Sequence, residues 1–313
     1  MEQESEAPAD PKASEIGGKS FHAPHAKVQT LAPGLYITAT PIGNAADITL
    51  RALNVLKFCD AIVAEDTRVT SRLLAIHGIS RPLLVYNDHN AASMRPKLLQ
   101  RLKDGARLAL VSDAGTPLVS DPGHKLVKAA QAAGIPVFPL PGASAVLAAL
   151  TISGLPSEKF LFAGFLPPKS GERKTALERL RPIGATLIFF ESAQRLAGTL
   201  ADMTDILGER DAVIARELTK LHEEIRRGPL AELANFYRDS APPKGEITLV
   251  IGPPAAEDAP DTARIDALLA QMLPFMPLKA ASALVADLTG APRRAVYSRA
   301  LVLKGQSDDD GAP

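Results

Sequence analysis

Two adjacent carboxylates, Glu65 and Asp66, close the apolar run Ala61-Ile62-Val63-Ala64. Groups of this kind accept protons or contact a substrate when a strand delivers them to a cleft. Neighbouring strand residues point to opposite faces, so at most one of the two can face a shared cleft while strand geometry persists. His89, in Asp88-His89-Asn90, is the rival base because imidazole titrates near neutrality. A loop histidine bonded to backbone is the plainer reading of the same residue. The other chemically dense stretch is 108–123, Leu-Ala-Leu-Val-Ser-Asp-Ala-Gly-Thr-Pro-Leu-Val-Ser-Asp-Pro-Gly. Its small residues let backbone approach a ligand, while Ser112, Asp113 and Thr116 offer polar contacts.

The elements that must hold these residues follow from hydrophobic patterning. Residues 108–111 read as a buried parallel strand, and the loop after it exceeds the usual span of roughly two to six residues for a strand-to-helix connection. Thr40-Pro41-Ile42-Gly43-Asn44 and Leu140-Pro141-Gly142-Ala143-Ser144-Ala145 repeat its character after the runs 35–39 and 136–138. Three such loops at the carboxyl edge of one sheet predict a ligand cleft. Strands at 35–39, 61–65, 83–86, 108–112 and 135–138 alternate with helices at 48–58, 68–77, 91–103, 123–133 and 143–153. That rhythm predicts a parallel-sheet α/β domain over 31–153.

Residues 154–253 change rhythm. Strands at 160–165, 186–191, 212–216, 223–227 and 246–251, with helices at 171–180, 193–207 and 230–237, predict a mixed-sheet α+β domain. A Pro-, Ala- and acid-rich linker at 254–261 leads to 262–304, read as two or three short helices broken at Pro274, Pro277 and Pro292. This small unit is basic, which suits either nucleic-acid contact or a solvated cap. Residues 1–30 and 305–313 read as disordered tails.

Net charge is zero, so any polyanion surface must be a local patch. The lone Cys59 excludes an intramolecular disulfide and any cysteine-based metal cluster, and it reads as a small buried residue. No apolar run spans a membrane and no signal core precedes the first domain, which predicts a cytoplasmic protein.

In order along 35–252, several segments resemble the tetrapyrrole methylase superfamily. They include Thr40-Pro41-Ile42-Gly43-Asn44, Glu65-Asp66-Thr67-Arg68, Asp88-His89-Asn90, 112–123 and Pro139 to Ala145. Gly164-Phe165-Leu166-Pro167, Phe190-Glu191-Ser192, Ala215 to Lys220 and Lys244-Gly245-Glu246 complete the set. The resemblance implies two α/β domains with S-adenosylmethionine in the cleft between them. It is closest to the branch that 2′-O-methylates a cytidine of 16S rRNA in the small ribosomal subunit. Tetrapyrrole-modifying members usually carry Gly-x-Gly-Pro-Gly where this chain has Thr-Pro-Ile-Gly-Asn, which argues against a corrin or sirohaem precursor. A tetrapyrrole methyltransferase is the alternative, and a binding protein without catalysis is a third.

The resemblance further implies the cofactor contacts. Pro41, Ile42 and Gly43 come from the first loop. Ser112, Asp113, Ala114, Gly115, Thr116, Leu118 and Val119 come from the second, and Ala143 and Ser144 from the third. Phe190, Ala215, Arg216, Glu217 and Leu218 belong to the second domain. The Gly245-Glu246-Ile247-Thr248 turn is expected to close the far side. Methyl transfer needs no metal, but a weakly acidic ribose hydroxyl gains from a base, expected among Glu65, Asp66 and His89. RNA contacts are expected from Arg68 and Arg72, four apart on one helix face, from Lys169, Arg173 and Lys174 in a basic loop, and from Lys220 and Arg226. Relatives of this kind resemble homodimers.

Overall fold

The computed structural model describes residues 31–254 and 262–309. The tail expected at 1–30, the linker residues 255–261 and residues 310–313 lie outside the described residues.

Five strands, β1 (Gly34–Thr38), β2 (Ala61–Ala64), β3 (Leu83–Val85), β4 (Arg107–Leu110) and β5 (Val137–Leu140), form an all-parallel sheet in the order β3-β2-β4-β1-β5. Alternation along β4 sorts its residues. Leu108 and Leu110 join one core and Ala109 and Val111 the other, so both faces of the sheet are buried. The first face is covered by α3 (Ala91–Lys103) and α4 (His124–Ala132), the second by α1 (Leu50–Phe58) and α2 (Thr67–Ile76). Cys59 is buried in the second core. β5 begins two residues later than its pattern suggests and runs through Pro139. It pairs only with β1, and an edge strand tolerates a proline that a central one would not.

The second domain is a mixed sheet ordered β6-β7-β10-β8-β9. Its strands are β6 (Phe160–Phe165), β7 (Thr186–Ser192), β8 (Asp211–Arg216), β9 (Glu224–Pro229) and β10 (Glu246–Ile251). β6 and β7 are parallel; the remaining pairs are antiparallel. One face buries Leu187, Phe189, Ile214 and Leu249 under α6 (Ser170–Leu180), α7 (Leu196–Leu207) and α8 (Leu230–Arg238). The opposite face, with Ile188, Val213 and Val250, receives α5 (Ala145–Ser153) from the first domain. Because α5 is apolar almost all round, it can be buried between domains.

Helices α9 (Thr262–Met272), α10 (Leu278–Thr289) and α11 (Arg293–Asp309) enclose a separate core of Ile265, Leu269, Val285 and Val296. α11 continues into the segment expected as a tail from 305, since a single Gly305 weakens a helix by only about 1 kcal/mol and need not end it. Among the described residues no helix is long and apolar enough to cross a membrane.

Candidate active site

Three loops at the carboxyl edge of the parallel sheet are tied to one another by their own polar groups. Thr40 and Gly115 exchange backbone hydrogen bonds of 2.9 and 3.0 Å. The Thr40 hydroxyl donates to the Ser112 carbonyl at 3.1 Å, the Ser112 hydroxyl to the Gly115 carbonyl at 3.1 Å, and the Thr116 hydroxyl to the Ala143 carbonyl at 3.1 Å. Strain collects here too. Among the described residues, the non-glycine residues with left-handed backbone are Leu118, Ser120, Glu217 and Thr219, all in loops at the domain junction. Each such conformation costs on the order of 1 kcal/mol or more and persists only where the surroundings impose it.

Between the domains these loops enclose a cavity of about 470 Å³. Ile42, Val119, Phe190, Ala215 and Leu218 give it apolar walls, and the Gly245 to Thr248 turn closes the second-domain side. Five carboxylates line it (Glu65, Asp113, Asp121, Glu191 and Glu246), and among the described residues no Lys, Arg or His does. Two of them are neutralised from outside. Glu191 accepts from Thr199 at 2.6 Å and from Arg195 at 3.1 Å, and Glu246 is paired with Lys220 at 2.8 Å.

The other three form an acidic wall that makes no ion pair among the described residues, with the Arg68 charge acting on Asp113 alone of the three. Burial raises the Glu65 pKa, and the charges of Asp113, Asp121, Asp88 and Asp66 raise it further. Burial also raises Asp113, against the backbone N–H that Asp66 donates to it at 3.1 Å. Asp121 is pushed up to about 6, chiefly by burial and then by Asp113, while the Ser112 hydroxyl opposes the shift. Such a pocket favours a cation with an apolar body.

Of the residues expected at the cofactor, Ile42, Asp113, Ala114, Gly115, Thr116, Val119, Ser144, Phe190, Ala215 and Leu218 line this cavity. The rest stand behind it. Ser112 and Pro41 are buried in the loop framework, and Ala143 supplies the carbonyl that Thr116 engages. Leu118 packs with the α3 and α4 core. Gly43 lies against the Leu218–Lys220 loop. Arg216 is paired with Glu224 at 2.8 Å, and Glu217 with Lys220 at 2.7 Å.

The three candidate bases separate. Glu65 lines the cavity. Asp66 instead caps α2, accepting from the Arg68 backbone N–H at 2.8 Å, and the Arg68 side chain holds its carboxyl down at about 2. His89 is exposed in a turn and is not part of the cavity wall.

Among the expected RNA contacts, two readings need correction. Arg173 and Lys174 are not in a loop but in α6, and Arg173 is only 6% exposed, with its guanidinium 2.6 Å from Asp202. A basic residue at a helix start looks the same in sequence whether its face is packed or free. Arg226 sits on the sheet face away from the first domain, its guanidinium over the Phe236 ring at 3.9 Å. Its neighbour Ile225 faces the domain junction instead. Lys220 is held at the cavity rim by Glu217 and Glu246. Arg68, Arg72 and Lys169 are exposed, and Lys174 is half-exposed beside Asp205 at 2.8 Å. Asp121, Ser120, Phe165, Glu191, Ser192 and Ala193 line the cavity without having been expected there. Asp121 and Ser120 belonged to the long loop already singled out, whereas Phe165 depends on a strand irregularity that periodicity does not reveal.

Comparison with known proteins gives this geometry a family. Residues 34–234 match the family model described as Tetrapyrrole (Corrin/Porphyrin) Methylases. Residues 259–304 match one described as the RsmI C-terminal HTH domain. A protein of Mesorhizobium japonicum named ribosomal RNA small subunit methyltransferase I is 53% identical over 280 residues, covering 89% of this chain and 95% of its own. Its namesake from Escherichia coli O157:H7 is 46% identical over 273 residues, covering 87% and 96%. The chain belongs to the ribosomal RNA small subunit methyltransferase I family.

Solved structures carry the fold more distantly. Cobalt precorrin-4 methyltransferase superposes with a TM-score of 0.53 at 19% identity, covering 70% of this chain and 94% of that one. Uroporphyrin-III C-methyltransferase of Thermus thermophilus, solved with S-adenosyl homocysteine, gives 0.51 at 20% identity, covering 70% and 97%. The two-domain body of the small subunit methyltransferase I family is thus the tetrapyrrole methylase fold, with α9 to α11 in the segment matched by the HTH model.

Proposed function

We propose that this chain transfers the methyl group of S-adenosylmethionine to 16S rRNA of the small ribosomal subunit, at the 2′-oxygen of a cytidine. The observation that carries the reading is the apolar interdomain cavity with its acidic wall of Glu65, Asp113 and Asp121. That wall suits a ligand carrying both a sulfonium and an ammonium charge. When bound, S-adenosylmethionine supplies an electrophilic methyl group on sulfur. Polar groups of Asp113, Ala114, Gly115, Thr116 and Ser144 are available to its charged end, and Phe190, Ile42 and Leu218 to its apolar and aromatic parts. Glu65 and Asp121 would orient the acceptor hydroxyl and take its proton, a contribution worth roughly 10²–10⁴-fold. Because their pKa values are raised, both carboxylates are stronger bases than ordinary ones.

The phosphate backbone is repelled from an acid-lined cavity. It would stay at the rim near Arg68, Arg72, Lys169 and Lys174, with only the target nucleotide entering. Relatives named for the small subunit rRNA reaction favour RNA over a tetrapyrrole. Assembly as a cytoplasmic homodimer belongs to the same proposal, and sedimentation equilibrium tests the oligomeric state.

The decisive test is complementation. Cells lacking the chain should lose one 2′-O-methylcytidine from small-subunit rRNA, read by nuclease digestion and mass spectrometry. The wild-type chain should restore it and Glu65→Gln should not. An unchanged methylation pattern in the deletion strain would overturn the proposal.

A further inference from the structure

Alternation along β6 would send Phe165 to the sheet face under α6 and α7. It does not go there. Phe162 pairs with Ile188 and Phe165 with Phe190, so three steps on β6 oppose two on β7, which defines a bulge. Gly164, in left-handed backbone (φ +67°), makes the bulge possible, and a Cβ there would meet the Ser120 hydroxyl oxygen of the first domain at 3.5 Å. Bulges beside active sites re-aim side chains. This one turns Phe165 onto the face that carries Phe162 and Phe190, at the cavity rim.

The ring is edge-on to Phe190 at 5.6 Å and remains 56% exposed. It is also held firmly. The next residue, Leu166, is buried, and its carbonyl accepts from Arg195 at 2.6 Å; Arg195 is in turn fixed by buried Glu191. Four residues on, Lys169 is 81% exposed. Lys169 is held only by a surface ion pair with Glu172 at 3.2 Å, the kind of weak pair a phosphate can displace. A well-held, solvent-facing aromatic followed four residues on by an exposed cation suits capture of an unstacked nucleotide.

We infer that Phe165 is a stacking platform for the base of the acceptor nucleotide, with the Lys169 ammonium near the adjoining phosphate. The inference rests on the RNA reading above and adds to it the residue that selects an unstacked nucleotide. The charge layout supports the base over the cofactor: the acidic wall keeps the phosphates at the rim, so the target nucleotide meets the exposed rim ring as it enters.

The test uses the full chain with small subunits from cells lacking it. Phe165→Ala should raise the KM for subunits by about 10–100-fold while leaving the dissociation constant for S-adenosylmethionine unchanged by calorimetry. Phe165→Leu, which keeps apolar volume without a flat face, should behave like Phe165→Ala, and Phe165→Trp should restore wild-type KM. An unchanged KM in the Ala and Leu variants would overturn the inference. So would a loss confined to S-adenosylmethionine affinity, which would assign the ring to the cofactor. Absence of RNA methylation by the wild-type chain would instead strike the underlying RNA reading.

Discussion

Asp121 carries the clearest conflict between stability and function in this chain. Its folded pKa of about 6 lies above the ordinary carboxyl value of 3.8, so the ionised form destabilises the fold. That penalty is absent below the unfolded value, grows as pH rises from about 4 to 6, and is complete above it. Asp121→Asn should therefore raise the melting temperature of the ligand-free chain at pH 7.5. The gain is about 1–2 kcal/mol once solvent screening of a half-exposed group is allowed for. At pH 4 it should vanish. The same substitution should weaken S-adenosylmethionine binding at pH 7 and flatten the fall in wild-type affinity between pH 7 and 5, which calorimetry would record.

Glu65 and Asp66 give the opposite pairing of effects. Glu65→Gln should lower kcat about 10²-fold while making the fold at neutral pH more stable, since the raised Glu65 pKa means that its ionised form destabilises the fold. Asp66→Ala should lower the melting temperature by removing the α2 cap and leave turnover within a few-fold. Single-turnover kinetics and thermal melts would separate the two. At this scale the sequence revealed which residue types gather at the cleft, but not how they are paired. That Arg173 would be locked to Asp202, and Asp66 to Arg68, depends on which helix faces pack and which residues cap, and helical spacing alone does not decide either.

At the level of elements, the parallel sheet and its cleft loops were legible because both faces of each strand are apolar and each loop is rich in small residues. The edge strand β5 and the β6 bulge were not, since both are permitted by neighbouring strands rather than dictated by local pattern. The contact that joins the two halves of the site was equally invisible. Gly43 approaches the Leu218–Lys220 loop so closely that a Cβ would lie 2.5 Å from Lys220 Cγ and 2.9 Å from the Leu218 carbonyl oxygen. The Asn44 backbone N–H then donates to the Thr219 hydroxyl at 3.1 Å across the same junction. Gly43→Ala should push the loops apart, weaken S-adenosylmethionine binding at least about tenfold by disturbing preorganisation, and leave the secondary structure intact by circular dichroism. Unchanged affinity would mean that this junction does not set the shape of the cavity.

Over the whole molecule, neutrality conceals a division of charge: an acidic cavity between the domains and a basic helical unit at the end. Within that unit Arg299 is tied to Asp266 at 2.6 Å and Arg293 to Asp287 at 3.1 Å, while Lys279, Arg294 and Lys304 are exposed. Composition could disclose the basic excess but not which cations are already paired. Reversing Lys279, Arg294 and Lys304 to Glu should raise the KM for small subunits, most at low salt where the attraction is least screened, without altering cofactor affinity.

The central claim is that the interdomain cavity moves a methyl group onto small-subunit rRNA. It is tested most directly by incubating purified chain with methyl-labelled S-adenosylmethionine and small subunits from cells lacking it, then locating the label by mass spectrometry. The account predicts one labelled ribose, a 2′-O-methylcytidine, lost with Glu65→Gln. Cofactor bound at the cavity with no label in the RNA would contradict it.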